Sequence, residues 1–175
     1  YKVPSTSFLV ILRGLFSVIL VFCCLLSAFT LKNSYEWNRA LEGKNSNSQN
    51  LLSLIHEFPN PKSTEKLIVP LFGNTQNCPF IIEASKALLT VDDRSGQAHY
   101  FQAICWDRLG KTSNSLDEIE SAVSLQPLNT DYLQSLAKLA FVMGQKDLAL
   151  ETLGRIQEIN PSDPAIPSVK EFLKI

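Results

Sequence analysis

Two consecutive stretches, GQAHYFQAICWDRLGKTSNSLDEIESAVSLQPLN (Gly96–Asn129) and TDYLQSLAKLAFVMGQKDLALETLGRIQEINPSD (Thr130–Asp163), follow one plan in one register. Ala103 is matched by Ala137, Gly110 by Gly144, Ile119 by Leu153, Leu125 by Ile159 and Pro127 by Pro161, each 34 residues further on. A period of this length marks stacked paired-helix units, each of which buries its apolar face only against a neighbour. In the first stretch a helix over about Gln97–Leu109 ends at Gly110, where a left-handed residue closes it. Ser113 or Asn114 is placed to cap a second helix that runs to Leu125. On that helix Leu116, Ile119, Ala122 and Val123 recur at three and four residues and form one apolar stripe. Pro127 then stops it, because proline has no N–H to donate and its ring clashes with the preceding turn.

The register continues upstream with less regularity. One period before Pro127 lies Asp93, and two periods before it lies Pro59. A unit Lys62–Ser95 places Val69, Phe72, Ile81, Leu88 and Val91 at core positions and Ser85 where a large apolar residue is expected. Pro70 falls inside its first helix and is expected to kink or shorten it. Leu51, Leu54 and Pro59 match the second helix of a further unit, whose partner would be Leu31–Glu42. Gly43–Asn50, GKNSNSQN, is expected to be a polar loop ending in a helix cap. Pro164–Ile175 reads as a capping helix that turns Ile166, Val169, Phe172 and Leu173 onto the last unit.

Near the N-terminus, Phe8–Leu31 reads FLVILRGLFSVILVFCCLLSAFTL. Gly14–Leu31 holds 18 residues without a charge, roughly 27 Å of helix, enough for a hydrocarbon core. Arg13 lies at the edge of this span, where its long stem lets the guanidinium reach the headgroups. The expected reading is a transmembrane helix with lipid as the partner of residues 8–31. A cleaved signal peptide and a buried helix stay open. The first would use a poor cleavage site at Ala28-Phe29-Thr30, and a lipoprotein signal is disfavoured by bulky Phe22 before Cys23. Lys2 and Arg13 flank one side and Lys32, Arg39 and Lys44 the other, so the positive-inside rule sets no orientation. The first residue is Tyr1, so the chain is read as a fragment or processed product.

Charge is confined to the remainder. Residues 1–31 contain no acid and two bases, whereas residues 32–175 hold 14 bases and 17 acids, a net charge of −3. No basic face is implied, which speaks against a nucleic-acid partner. The four cysteines form no CxxC pair: Cys23 and Cys24 lie in the apolar run, Cys78 in an expected loop before Pro79 and Cys105 in a helix. A Cys78–Cys105 disulfide stays open for an oxidising compartment. The two histidines, His56 and His99, read as surface and helix-packing residues. Asp92-Asp93-Arg94 reads as a helix-ending turn, and Asp117, Glu118 and Glu120 as the solvated side of a helix. No triad order, HExxH, phosphate loop or paired metal carboxylates can be assembled, so no catalytic, metal or cofactor residue is assigned.

The two regular units resemble the tetratricopeptide repeat. That family prefers a small residue at its eighth position (Ala103, Ala137) and Gly near the fifteenth (Gly110, Gly144). It prefers Ala at the twentieth (Ala149, but Ser115) and at the twenty-seventh (Ala122, but Ile156), and Pro at the thirty-second (Pro127, Pro161). Gln102 and His99 stand where the family favours Leu and Trp. The resemblance implies an α–α solenoid, which together with the apolar N-terminal span makes the expected fold all-α, an N-terminal transmembrane helix followed by that solenoid. The expected division is an anchor at 1–31, a helical neck and half repeat at 32–61, and a degenerate repeat at 62–95. Two repeats at 96–129 and 130–163 and a cap at 164–175 complete it. Such stacks line their concave face with the first helix of each unit. Here that face would present Tyr100, Ile104, Asp107 and Arg108, then Gln134, Lys138 and Phe141, to a protein or peptide partner. Tyr100 and Ile104 stand where the family's grip on a C-terminal carboxylate would need basic and Asn side chains.

The order of segments, an apolar helix, a short neck, a divergent repeat with an EFPNP step at Glu57–Pro61 and two repeats ending near NPSDP at Asn160–Pro164, is similar in layout to the C-terminal tail of bacterial O-antigen ligase or polymerase-type membrane proteins. That likeness implies a non-catalytic region of an envelope glycan protein in the bacterial inner membrane. The alternative is a single-pass adaptor for assembly of an envelope protein complex.

Overall fold

Gly14 and Leu41 are separated by no proline and no further glycine, and an apolar backbone without water must satisfy its own hydrogen bonds. The computed structural model, which describes residues 6–42 and 48–174, accordingly has one unbroken helix there, α1 (Thr6–Leu41). The chain divides into two units, Tyr1–Ser46 and Asn47–Ile175. In the first, every side chain from Leu15 to Lys32 is exposed. Two hydroxyls on this stretch are turned back onto the helix: Ser27 Oγ donates to the Cys23 carbonyl at 2.8 Å and Thr30 Oγ1 to that of Ser27 at 2.9 Å. Leu15–Leu41 is long and apolar enough, by length and composition, to cross a membrane.

The second unit begins with α2 (Ser48–Glu57), α3 (Pro61–Ile68), α4 (Cys78–Leu89), α5 (Gly96–Arg108) and α6 (Thr112–Leu125). It continues with α7 (Thr130–Val142), α8 (Lys146–Ile159) and α9 (Ala165–Leu173). Helix makes up 83% of the described residues and no strand occurs among them, so the fold is all-α. The helices pack as hairpins, α5 on α6 and α7 on α8. The pairs α4 with α5 and α6 with α7 join one hairpin to the next, and α9 packs on both α7 and α8.

The two regular hairpins turn alike. Gly110 and Gly144 have φ of 71° and 78°, the left-handed region that a side chain disfavours. Each closes its helix with the same pair of bonds: Gly110 N–H to the Asp107 carbonyl and Lys111 N–H to that of Trp106, then Gly144 to Phe141 and Gln145 to Ala140. Helices α5 and α7 open on side-chain caps, Ser95 Oγ accepting from Ala98 N–H and Asn129 Oδ1 from Asp131 and Tyr132. One continuous core follows, in which Ile119, Leu133, Ala137, Ile156 and Val169 are fully or almost fully buried.

Several local expectations change. Helix α6 starts at Thr112 with Lys111 at the cap position and no side-chain cap bond, so neither Ser113 nor Asn114 caps it. The tight turn after Gly110 has no room for extra residues before the helix begins. Ser48–Asn50 is the first turn of α2 rather than loop, because polar residues are tolerated where helical N–H groups meet water; residues 43–47 lie outside the described residues. Val69 and Val91 are exposed by 51% and 54% rather than buried. Pro70 explains the first: α3 ends at Ile68 and a 3-10 turn over Val69–Gly73 shifts the helical register. Val91 follows the end of α4, past its buried face. Cys78 is the buried first residue of α4 and not a loop residue. Ser85 is fully buried at its apolar position, its Oγ without a hydrogen-bond partner.

Candidate protein-interaction groove

Helices α5, α7 and α9 each present a face to one groove. Residues of α5, α6, α7 and α9 enclose a cavity of about 250 Å3. Its floor is apolar, from Ala103, Ile119 and Leu139, and its walls are Ile104, Val142 and Phe172. Four polar side chains complete it: Asp107, Ser115, Ser135 and Lys138.

Three of the four are already bonded within the fold. Ser115 Oγ donates to the Ala103 carbonyl at 2.8 Å, a buried bond between α6 and α5 at a position where alanine is the commoner repeat residue. Ser135 Oγ donates to the Asp131 carbonyl at 3.0 Å. Lys138 Nζ donates to Ser168 Oγ on α9 at 3.2 Å and lies 6.0 Å from the centre of the Phe172 ring.

The seven residues expected on this face divide. Ile104, Asp107 and Lys138 line the cavity; Tyr100, Arg108, Gln134 and Phe141 do not. Tyr100 stacks on Tyr132 at 4.7 Å between centroids, which closes the α5–α7 contact. The Tyr132 hydroxyl is pushed up to about 12, first by burial and then by the charges of Tyr100, Glu65 and Asp131. Arg108 turns toward the previous unit, where Nη1 donates to the Phe72 carbonyl and the guanidinium lies 5.7 Å from the Phe72 ring. Phe141 meets Phe172 edge-on at 5.9 Å. Gln134 is half-buried outside the cavity.

Residues missed in the sequence reading are Ser135, Val142, Leu139 and Phe172. The first two carried a usable signal, being three residues before and four after Lys138, on one face of α7. Phe172 carried none, because it was assigned to covering the core. It is 40% exposed, whereas Ile166, Val169 and Leu173 on the same helix are buried.

Other polar residues serve the fold. Glu118 is not simply solvated: its Oε2 is 2.7 Å from His99 Nδ1 and ties α6 to α5. Cys78 and Cys105 are both free and buried. Burial raises the Cys105 thiol, and its hydrogen bond with Cys78 raises it further. Arg94 N–H donates to Asp92 Oδ1 in the turn before α5. Among the described residues no group of three His, Cys, Asp or Glu side chains could hold a metal ion.

Comparison with known proteins agrees with this architecture. The chain is similar to the solved structure "MamA RS-1 ArsTM double mutant", with a TM-score of 0.57 and 16% identity over 77% of this chain and 71% of that one. MamA is a tetratricopeptide-repeat protein. The fold is tetratricopeptide-like. A second structure, "Crystal structure of MamA", aligns at 18% identity over 79% of this chain and 81% of the other, with a TM-score of 0.47. No protein-family model matches the chain, and neither does any curated protein. In tetratricopeptide-like terms α5/α6 and α7/α8 are successive hairpins, and α9 continues the row of first helices formed by α5 and α7.

Proposed function

We propose that the chain is a membrane-anchored protein-interaction scaffold, with α1 as the anchor and the groove of α5, α7 and α9 as the docking face. The observation that carries this is the apolar cavity between α5 and α7, opening beside the exposed side chains of Val142 and Phe172. At about 250 Å3 it is smaller than the roughly 300–1,000 Å3 of small-molecule sites and suits one inserted side chain. The expected divisions 62–95, 96–129 and 130–163 are the units of the stack, and 164–175 both caps it and walls the groove. Tyr100, Arg108, Gln134 and Phe141 extend the docking face around the cavity.

Anchoring is supported by the first unit's own surface. Phe16, Phe22 and Leu31 are exposed by 64%, 60% and 70%, and burying such side chains in lipid is worth about 1.5–3 kcal/mol each. Lys32, Tyr35 and Arg39 follow the apolar stretch, the mixture found at a membrane–water interface, and Arg39 lies 5.8 Å from the Tyr35 ring. The finer reading, a C-terminal region of an O-antigen ligase or polymerase-type protein in the bacterial inner membrane, rests on segment order alone. Ten or so apolar spans encoded upstream of Tyr1 would support it, and an initiating Met just before Tyr1 would end it.

The docking face is tested by placing a photo-crosslinking amino acid at Lys138 or at half-buried Ser121 of α6, outside the cavity, in the full chain in cells. The expected result is discrete protein adducts from position 138 and none from 121. Equal labelling at both, or none at 138, removes the groove as the interaction face.

A further inference from the structure

We propose that the groove takes a segment carrying one large apolar side chain beside a basic one, with the cation held by Asp107. This rests on the docking-face reading above and adds the chemistry of the partner. The argument is one of charge complementarity at the cavity mouth. Of its four polar lining side chains, Ser115, Ser135 and Lys138 each donate within the fold. Asp107 is exposed and is the one whose side chain has no hydrogen-bond or ion-pair partner among the described residues.

The cations close to Asp107 in the chain do not neutralise it. Arg108, its neighbour in sequence, is turned to the Phe72 carbonyl and ring. Lys111 lies 4.8 Å from the centre of the Trp106 ring. Lys138, on α7, bonds Ser168 and lies 6.0 Å from the centre of the Phe172 ring. Lys138 keeps its charge but has the Ser168 hydroxyl and the Phe172 ring as partners, so Asp107 is the charged group of the cavity lining left without one. A partner that fills the apolar cavity removes water from this carboxylate, and an unpaired buried carboxylate is costly. A partner guanidinium or ammonium removes that cost, and arginine does so with two parallel donors. An acidic side chain placed at Asp107 meets repulsion instead. Ile104, Val142 and Phe172 supply the apolar contact that anchors such a segment, in the manner of a central hot spot with a charged rim.

The test uses the full chain in lipid nanodiscs and a random 12-residue peptide library displayed on phage. Pools are selected on the wild type and on Asp107→Lys, and the best peptides are titrated against Asp107→Asn and Val142→Glu. All three substitutions are at exposed positions, and unchanged helical circular dichroism shows that each variant is folded. The expected wild-type pool is enriched in Lys or Arg beside a large apolar residue. Its peptides bind Asp107→Asn roughly three- to fivefold more weakly, the loss of one exposed ion pair. The Asp107→Lys pool is expected to favour Asp or Glu at the same place. Peptides that are lost on Val142→Glu but have no basic preference, or are indifferent to Asp107, overturn this inference and leave the docking face standing. Peptides indifferent to Val142→Glu, or no selected binders, overturn the docking face and this inference with it.

Discussion

Tyr132 shows how one residue can serve the stack without serving the groove. It is 4% exposed and stacked on Tyr100, and its hydroxyl is raised from 10.0 to about 12, chiefly by burial. The raised value means that the folded chain holds this proton after the unfolded chain has released it. Its contribution is therefore fully present below pH 10 and is lost as pH rises toward 12. Urea unfolding at pH 9 and pH 11 should show wild-type stability falling more steeply with pH than that of Tyr132→Phe, by up to about one proton in the slope. Equal slopes would mean that the phenol titrates alike in both states. At the same scale, Asp107 and Arg108 are adjacent in sequence and opposite in fate. Nothing in their order announces that the arginine is taken by Phe72 while the carboxylate is left at the cavity.

At the scale of the element, the helices start and stop where their end residues dictate. Asn129 caps α7 by accepting from two N–H groups, whereas Asn114, a candidate cap in the sequence, sits inside α6 and is exposed. Asn129→Ala should therefore cost about 1 kcal/mol in chemical denaturation. Asn114→Ala, away from any cap bond, should stay within about 0.5 kcal/mol. A reversal of that order would show α6 starting later than Thr112. The glycine turns and the proline stops were legible because a left-handed residue and a missing N–H act within one turn of helix. The start of α6 was not, because a three-residue connection between packed helices overrides the preference of Ser113 and Asn114 for a cap.

At the scale of the whole molecule, an apolar helix and a stacked unit occur in one chain, and each makes its own demand. The first unit's exposed apolar surface needs a cover that water does not provide. Alkaline carbonate extraction of membranes from cells expressing the full chain should leave it in the pellet. Replacing Leu20, Val21 and Leu25 with Lys, which puts charge in mid-span, should move it to the supernatant. Release of the unaltered chain would sink the anchor. The second unit meets its demand internally, hairpin upon hairpin, and α9 covers the last one with Ile166, Val169 and Leu173.

The sequence by itself determined the 34-residue repeat, the helical hairpins, their turn glycines and the apolar span, since each depends on contacts within a unit or with the next one. It marked a face of α5 and α7 and named three of the cavity's residues, Ile104, Asp107 and Lys138. Only the tertiary structure decided which side chains on that face share a space. The cavity is closed by four helices, and its far wall, Phe172, lies more than sixty residues from Ile104. Helical periodicity says which residues face the same way. Whether they converge, stack or turn aside depends on what a distant helix places opposite them.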